Sequence, residues 1–124
     1  YNTPPVFPVY TSLLTLQWLK NLGGVAAIEK INTEKAALLY NEIDRNPLFR
    51  GTAAVEDRSN MNVTFLLNDE AHKDTFDAMW KAANISGLPG HRSVGGYRAS
   101  IYNAMPIESV QVLVDVMKAL EAAV

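Results

Sequence analysis

Three side chains that carry or can carry positive charge fall within eight residues: His91, Arg92 and Arg98. They belong to Gly90-His91-Arg92-Ser93-Val94-Gly95-Gly96-Tyr97-Arg98-Ala99-Ser100-Ile101-Tyr102-Asn103, a stretch whose glycines let the backbone bend and let a ligand approach. A guanidinium offers paired donors in a fixed plane and stays charged at any ordinary pH, so the pattern suits a carboxylate or a phosphate. The same residues also fit a plain hairpin whose arginines pair with surface acids. Spacing alone leaves both readings open.

Nothing else in the chain completes a catalytic set. There is no cysteine, which removes disulfides, thiolate catalysis and zinc–cysteine sites. No histidine and acid spacing matches a metal site. No glycine-rich loop matches a nucleotide-phosphate cradle, and no serine sits in a nucleophile-elbow pattern. Lys20, Lys30, Lys35, Lys73, Lys81 and Lys118 all fall on predicted helices, mostly among polar neighbours, and none reads as a buried imine-forming amine. Lys35 lies inside an apolar stripe, where its stem is expected over the core with the amine in water. Asn2 and Thr3 offer small hydrogen-bonding groups just ahead of a proline-rich stretch.

The elements that position these residues follow from periodicity. The prolines of residues 1–8 predict an extended segment. Residues 9–22 read as a helix that is apolar on most sides and expects neighbours on more than one flank, stopped by Gly23-Gly24. A second helix runs from Val25 to about Asp44, with Ile28, Ile31, Leu38, Leu39 and Ile43 as its stripe. Phe49 to Val55 fits a strand. Met61 to Leu67 fits one better, because Met61, Val63, Phe65 and Leu67 alternate with polar residues; Leu66 breaks the alternation and implies cover on both faces there. Asn68-Asp69 is expected to cap a helix to about Asn84, ended by Ser86-Gly87. Tyr97 to Tyr102 reads as a strand with Arg98 on one side and Tyr97 and Ala99 on the other. Pro106 is expected at the first position of a last helix. Trp18 and Trp80 read as core anchors.

At 124 residues the chain suits one domain, residues 1–124. Strands separated by amphipathic helices predict an α/β chain of the α+β type, with a small antiparallel or mixed sheet and helices mainly on one face. A net charge of −2 argues against a nucleic-acid partner. No apolar run approaches a membrane span, so no membrane partner is expected. The chain starts at Tyr1, and we expect it to be part of a longer protein whose remainder carries some of the chemistry.

Several blocks together resemble the phosphoserine aminotransferase family. They are Tyr1-Asn2-Thr3-Pro4-Pro5, Trp18-Leu19-Lys20-Asn21-Leu22-Gly23-Gly24 with Lys30-Ile31-Asn32, Arg58-Ser59-Asn60-Met61-Asn62-Val63, and above all residues 90–106. The likeness runs the whole length, in order and in spacing. It implies the C-terminal small domain of a fold-type I, class V aminotransferase that uses pyridoxal 5'-phosphate, works as a cytoplasmic homodimer and takes small anionic substrates. The implied reaction moves an amino group between glutamate and 3-phosphohydroxypyruvate, as in serine and pyridoxine synthesis. The resemblance puts the cofactor lysine upstream of Tyr1, in an absent large domain, so the chain alone is expected to be inactive. It assigns Arg98 to the substrate α-carboxylate. It assigns His91 and Arg92 to the phosphate or side-chain carboxylate, across the dimer, and Asn2 and Thr3 to the cofactor phosphate of the other subunit. Tyr97 stands where related sequences often have methionine, and Ser93 lies in a variable slot. Open alternatives are another class V aminotransferase or lyase, and a non-catalytic anion-binding module.

Overall fold

The computed structural model describes residues 2–124; Tyr1, the first residue of the expected extended segment, lies outside them. The chain, read above as one domain, divides into two compact units, Tyr1–Ile31 and Asn32–Val124.

In the first unit, α1 spans Val6–Asn21 and α2 begins at Gly24. The helix therefore starts three residues earlier than the prolines predict. Pro5 is its N-cap, and the first helical bond runs from Val9 N–H to the Pro5 carbonyl at 3.1 Å. Pro8 then occupies the first turn, where a backbone N–H would have no intrahelical partner, so its missing donor costs nothing. No residue of α1 is buried. Phe7 is 75% exposed, and Leu13, Leu16 and Trp18 are also exposed, so Trp18 is not a core anchor.

In the second unit, α2 runs on to Arg45 and is followed by β1 (Phe49–Gly51), β2 (Asn62–Leu67), α3 (Lys73–Ala82), β3 (Tyr97–Ser100) and α4 (Ile107–Ala123). The strands form one antiparallel sheet in the order β1-β2-β3, with Phe49 opposite Leu67 and Thr64 opposite Arg98. The alternation expected for β2 is present: Val63, Phe65 and Leu67 are buried. These residues pack with Leu39 and Ile43 of α2, Phe76 and Trp80 of α3, and Leu113, Val114 and Met117 of α4 in a single core. An aromatic cluster forms its centre. Tyr97 stacks on Phe65 at 5.3 Å and meets Phe76 edge-on at 5.0 Å. Such pairs add to the stabilisation from burial alone.

Three helix boundaries in this unit differ from expectation for local reasons. Asp69 caps a 3₁₀ turn, Glu70–His72, by accepting the Ala71 N–H at 2.8 Å, and α3 starts only after it. α3 closes at Ala82, near the expected end, with Asn84 rather than Ser86-Gly87 as its stop. Asn84 takes the left-handed conformation, with φ 60°, and its N–H bonds the Lys81 carbonyl while Ile85 N–H reaches the Trp80 carbonyl. That pair of bonds is a Schellman motif, in which asparagine sometimes takes the place of the usual glycine. Pro106 is the N-cap of α4 rather than its first helical residue.

Lys35 departs most from expectation. It is fully buried, and its amine reaches no water. Instead Nζ donates to the carbonyls of Ile101, Tyr102 and Met105 at 3.1, 2.7 and 3.0 Å. One turn earlier on α2, Asn32 donates to Asn103 Oδ1 at 2.8 Å. The loop between β3 and α4 is thus tied to α2 by side chains whose partners lie about seventy residues away, at separations of 66 to 71. Burial pushes the Lys35 amine below its usual pKa.

Three carboxylates are held below their usual range. For Glu42, burial favours the neutral acid, but hydrogen bonds from Arg45 and Asn46 outweigh it. For Asp77 burial is again outweighed, by Lys73, the Trp80 indole and the Tyr97 hydroxyl. Asp44 is lowered by its paired bonds from Arg58, at 2.6 and 2.7 Å. Groups lowered in the folded state stabilise it above the unfolded carboxylate pKa, near ~4, and that contribution is lost as pH falls through the folded values. We predict that the urea midpoint is nearly flat from about pH 7 to pH 5 and falls steeply below about pH 4. A midpoint unchanged down to about pH 3 would remove these carboxylates from the stability account.

Candidate anion-binding site

His91, Arg92 and Arg98 are brought together on one hairpin of the second unit. Segment Leu88–Gly90 folds back on the start of β3: Arg98 N–H donates to the Leu88 carbonyl at 2.7 Å, and Gly90 N–H to the Gly96 carbonyl at 2.8 Å. Residues 91–95 form the tip. The His91 carbonyl accepts from both Val94 N–H and Gly95 N–H, at 2.9 and 2.8 Å, so the tip is closed on itself.

Two glycines make this closure possible. A Cβ on Gly96 would stand 2.8 Å from the Phe65 carbonyl oxygen and collide with the Leu66 side chain, at a φ of 64° that already disfavours other residues. A Cβ on Gly90 would collide with the Gly95 carbonyl oxygen. The close approach of Gly96 to Leu66 also explains why an apolar residue stands on the outer side of β2 at that end.

Arg98 points away from the core, since Tyr97 and Ala99 on either side of it are buried. Its neighbours on that side of the sheet are uncharged. Thr64 is opposite, and Ser100 donates to Asn62 Oδ1 at 3.3 Å. Arg98 also lines a cavity of about 110 Å³ with Leu88, Ser100, Met105, Ser109 and Leu113.

The arginines separate the two readings left open by the spacing. Of the five in the chain, Arg45 is bound by Glu42 and Glu121, Arg58 by Asp44, and Arg50 by the Leu67 carbonyl and Asn68. Among the described residues, the side chains of Arg92 and Arg98 have neither an ion pair nor a hydrogen bond, and both are exposed. The hairpin with internally paired arginines is therefore not what forms. Two guanidiniums without a partner among the described residues and an exposed imidazole remain on one hairpin, each able to take an acidic group.

Asn2 and Thr3 lie exposed ahead of α1, in the first unit. Their amide and hydroxyl are donors of the kind a phosphate accepts. Ser93 is a residue the spacing did not mark for chemistry: its hydroxyl lies 2.6 Å from His91 Nδ1. Among the described residues Lys35 is the one buried lysine, and its three N–H groups are committed to carbonyls.

Residues 1–113 match the class-V aminotransferase family, and the chain belongs to that family. Over its whole length it is 79% identical to the phosphoserine aminotransferase of Flavobacterium johnsoniae, of which it covers 35%. A solved phosphoserine aminotransferase, studied for radiation damage of its Schiff base, superposes with a TM-score of 0.94 at 46% identity, over 100% of this chain and 35% of that one. The pyridoxal-phosphate-bound phosphoserine aminotransferase of Trichomonas vaginalis superposes with a TM-score of 0.86 at 40% identity, over 95% of this chain and 34% of that one. The chain thus spans about 35% of the length of the curated relatives it matches. The helices and three-stranded antiparallel sheet are those of the solved relatives. Among the described residues no helix is long and apolar enough to cross a membrane.

Proposed function

We propose that this chain, residues 1–124, is the C-terminal small domain of a phosphoserine aminotransferase. The whole protein would be a cytoplasmic homodimer that moves the amino group of L-glutamate to 3-phosphohydroxypyruvate, giving 2-oxoglutarate and O-phospho-L-serine. The observation that carries this reading is the pair of unneutralised arginines beside His91, in a chain 79% identical to a phosphoserine aminotransferase. Both amino-acid partners in that reaction have an α-carboxylate at one end and a second anion at the other.

Pyridoxal 5'-phosphate, when bound, supplies the carbonyl that takes up the amino group and the conjugated ring that draws off electrons. Its lysine would come from outside this chain. Arg98 would grip the α-carboxylate with two parallel donors and so fix the orientation of the reacting carbon. His91 and Arg92 would bind the phosphate, or the side-chain carboxylate of glutamate, across the dimer. Asn2 and Thr3 would donate to the cofactor phosphate of the other subunit. The exposed apolar surface of α1 is consistent with cover by the rest of such an assembly.

The test is a kinetic comparison in the full-length enzyme loaded with pyridoxal phosphate. The wild type should transaminate 3-phosphohydroxypyruvate with glutamate. Arg92→Ala should lower kcat/KM for 3-phosphohydroxypyruvate by about 10- to 100-fold, and for glutamate by less, because a phosphate leans more on a second cation. Equal losses on both substrates would assign Arg92 a structural task instead.

A further inference from the structure

Ser93 is joined to His91 by two hydrogen bonds that fix more than the position of a turn. Its hydroxyl lies 2.6 Å from His91 Nδ1, and its backbone N–H donates to the same nitrogen at 3.3 Å. A backbone N–H can only donate, so Nδ1 must accept. The hydroxyl rotates freely and, facing an acceptor, supplies its own hydrogen. Both bonds therefore leave the lone pair of the neutral ring on Nδ1 and its hydrogen on Nε2. The two residues share the self-closed tip, so this relation is set by the chain before any ligand arrives.

We infer that Ser93 is a positioning residue for His91, holding the imidazole so that Nε2–H is presented as a donor to the distal anion of the substrate. The inference rests on the reading of His91 given above. Without the hydroxyl, the ring retains only the longer bond from the backbone N–H. It then turns more freely about its side-chain torsions and samples the tautomer with its hydrogen on Nδ1, which has no donor to offer at Nε2. Binding must then restore the order that Ser93 supplies in advance. The effect should fall on recognition of the phosphate and leave the α-carboxylate end alone.

The experiment is a double-mutant cycle in the full-length holoenzyme, with 3-phosphohydroxypyruvate and glutamate as the varied substrates. Ser93→Ala is expected to raise KM for 3-phosphohydroxypyruvate by about 3- to 10-fold, with kcat changed little. Ser93→Thr, which keeps the hydroxyl, should restore most of the loss. In a His91→Ala background Ser93→Ala should have no further effect, because the group it acts through is gone. If Ser93→Ala is silent, or its effect persists undiminished beside His91→Ala, the inference fails while the role of His91 stands. If His91→Ala itself leaves KM for 3-phosphohydroxypyruvate unchanged, both the role of His91 and the inference fall. Nitrogen chemical shifts of the His91 ring at alkaline pH give a readout independent of turnover. They should report hydrogen on Nε2 in the wild type and a mixture of tautomers in Ser93→Ala; the same mixture in both proteins would overturn the inference.

Discussion

Arg98→Ala is expected to lower kcat/KM of the full-length holoenzyme by roughly two to three orders of magnitude, for glutamate and for 3-phosphohydroxypyruvate alike. Both substrates share the α-carboxylate, so the loss should not discriminate between them. The magnitude follows from removing one partner of a desolvated, doubly hydrogen-bonded charge pair, which costs about 2–5 kcal/mol. Arg98→Lys should recover only part of the loss, since an ammonium keeps the charge but lacks the planar fork. Folding should be nearly unaffected. The side chain is exposed and has no partner among the described residues, and β3 is held by backbone bonds and by Tyr97. Near-normal turnover in Arg98→Ala would show that the carboxylate is gripped elsewhere.

Lys35→Met should be the most damaging of these changes for stability. Methionine replaces the stem with little change of volume but supplies no donors. The carbonyls of Ile101 and Met105 would lose the donor that satisfies them, while that of Tyr102 would keep the Met105 N–H. An unsatisfied buried acceptor costs about 1–3 kcal/mol, so a net loss of about 3 kcal/mol is expected after some rearrangement to water. That corresponds to a fall in Tm of roughly 10–15 °C for a domain of this size. Calorimetry of Lys35→Met decides the matter, with Lys35→Arg as a control that keeps donors but overfills the site. A shift of only a degree or two would mean that the loop after β3 is held by other contacts.

Much of the second unit was legible in the chain because its signals are local. β2 follows from the alternation around Val63 and Phe65, and the buried stripes of α3 and α4 from the spacing of Phe76 and Trp80 and of Val110, Leu113, Val114, Met117 and Leu120. The errors also have physical causes. Pro8 looked like a helix breaker, but a first turn has no bond for proline to remove. Lys35 looked like a residue whose amine reaches water. Its real partners are carbonyls 66 to 70 residues distant, and no periodicity reports on those. β1 stops at Gly51 although its pattern permitted a longer strand. At the candidate site, residue types and spacing identified the cations but left open whether surface acids neutralise them. Only the three-dimensional arrangement shows that Arg45, Arg50 and Arg58 have partners and that Arg92 and Arg98 have none among the described residues. Ser93 stood out only as a variable slot in the resemblance, because a serine two residues after a histidine is unremarkable until the turn folds them together.

Tyr97 faces the core with its ring and holds Asp77 on α3 with its hydroxyl, at 2.8 Å. Asp77 also accepts from Trp80 and Lys73 of the same helix. The strand that carries Arg98 is therefore bolted to α3 at the adjacent residue. An independent swing of this strand would have to break that bolt and unstack an aromatic pair. If substrate capture involves closure, Arg98 must travel as cargo on a rigid body, and the pivot has to lie outside the sheet.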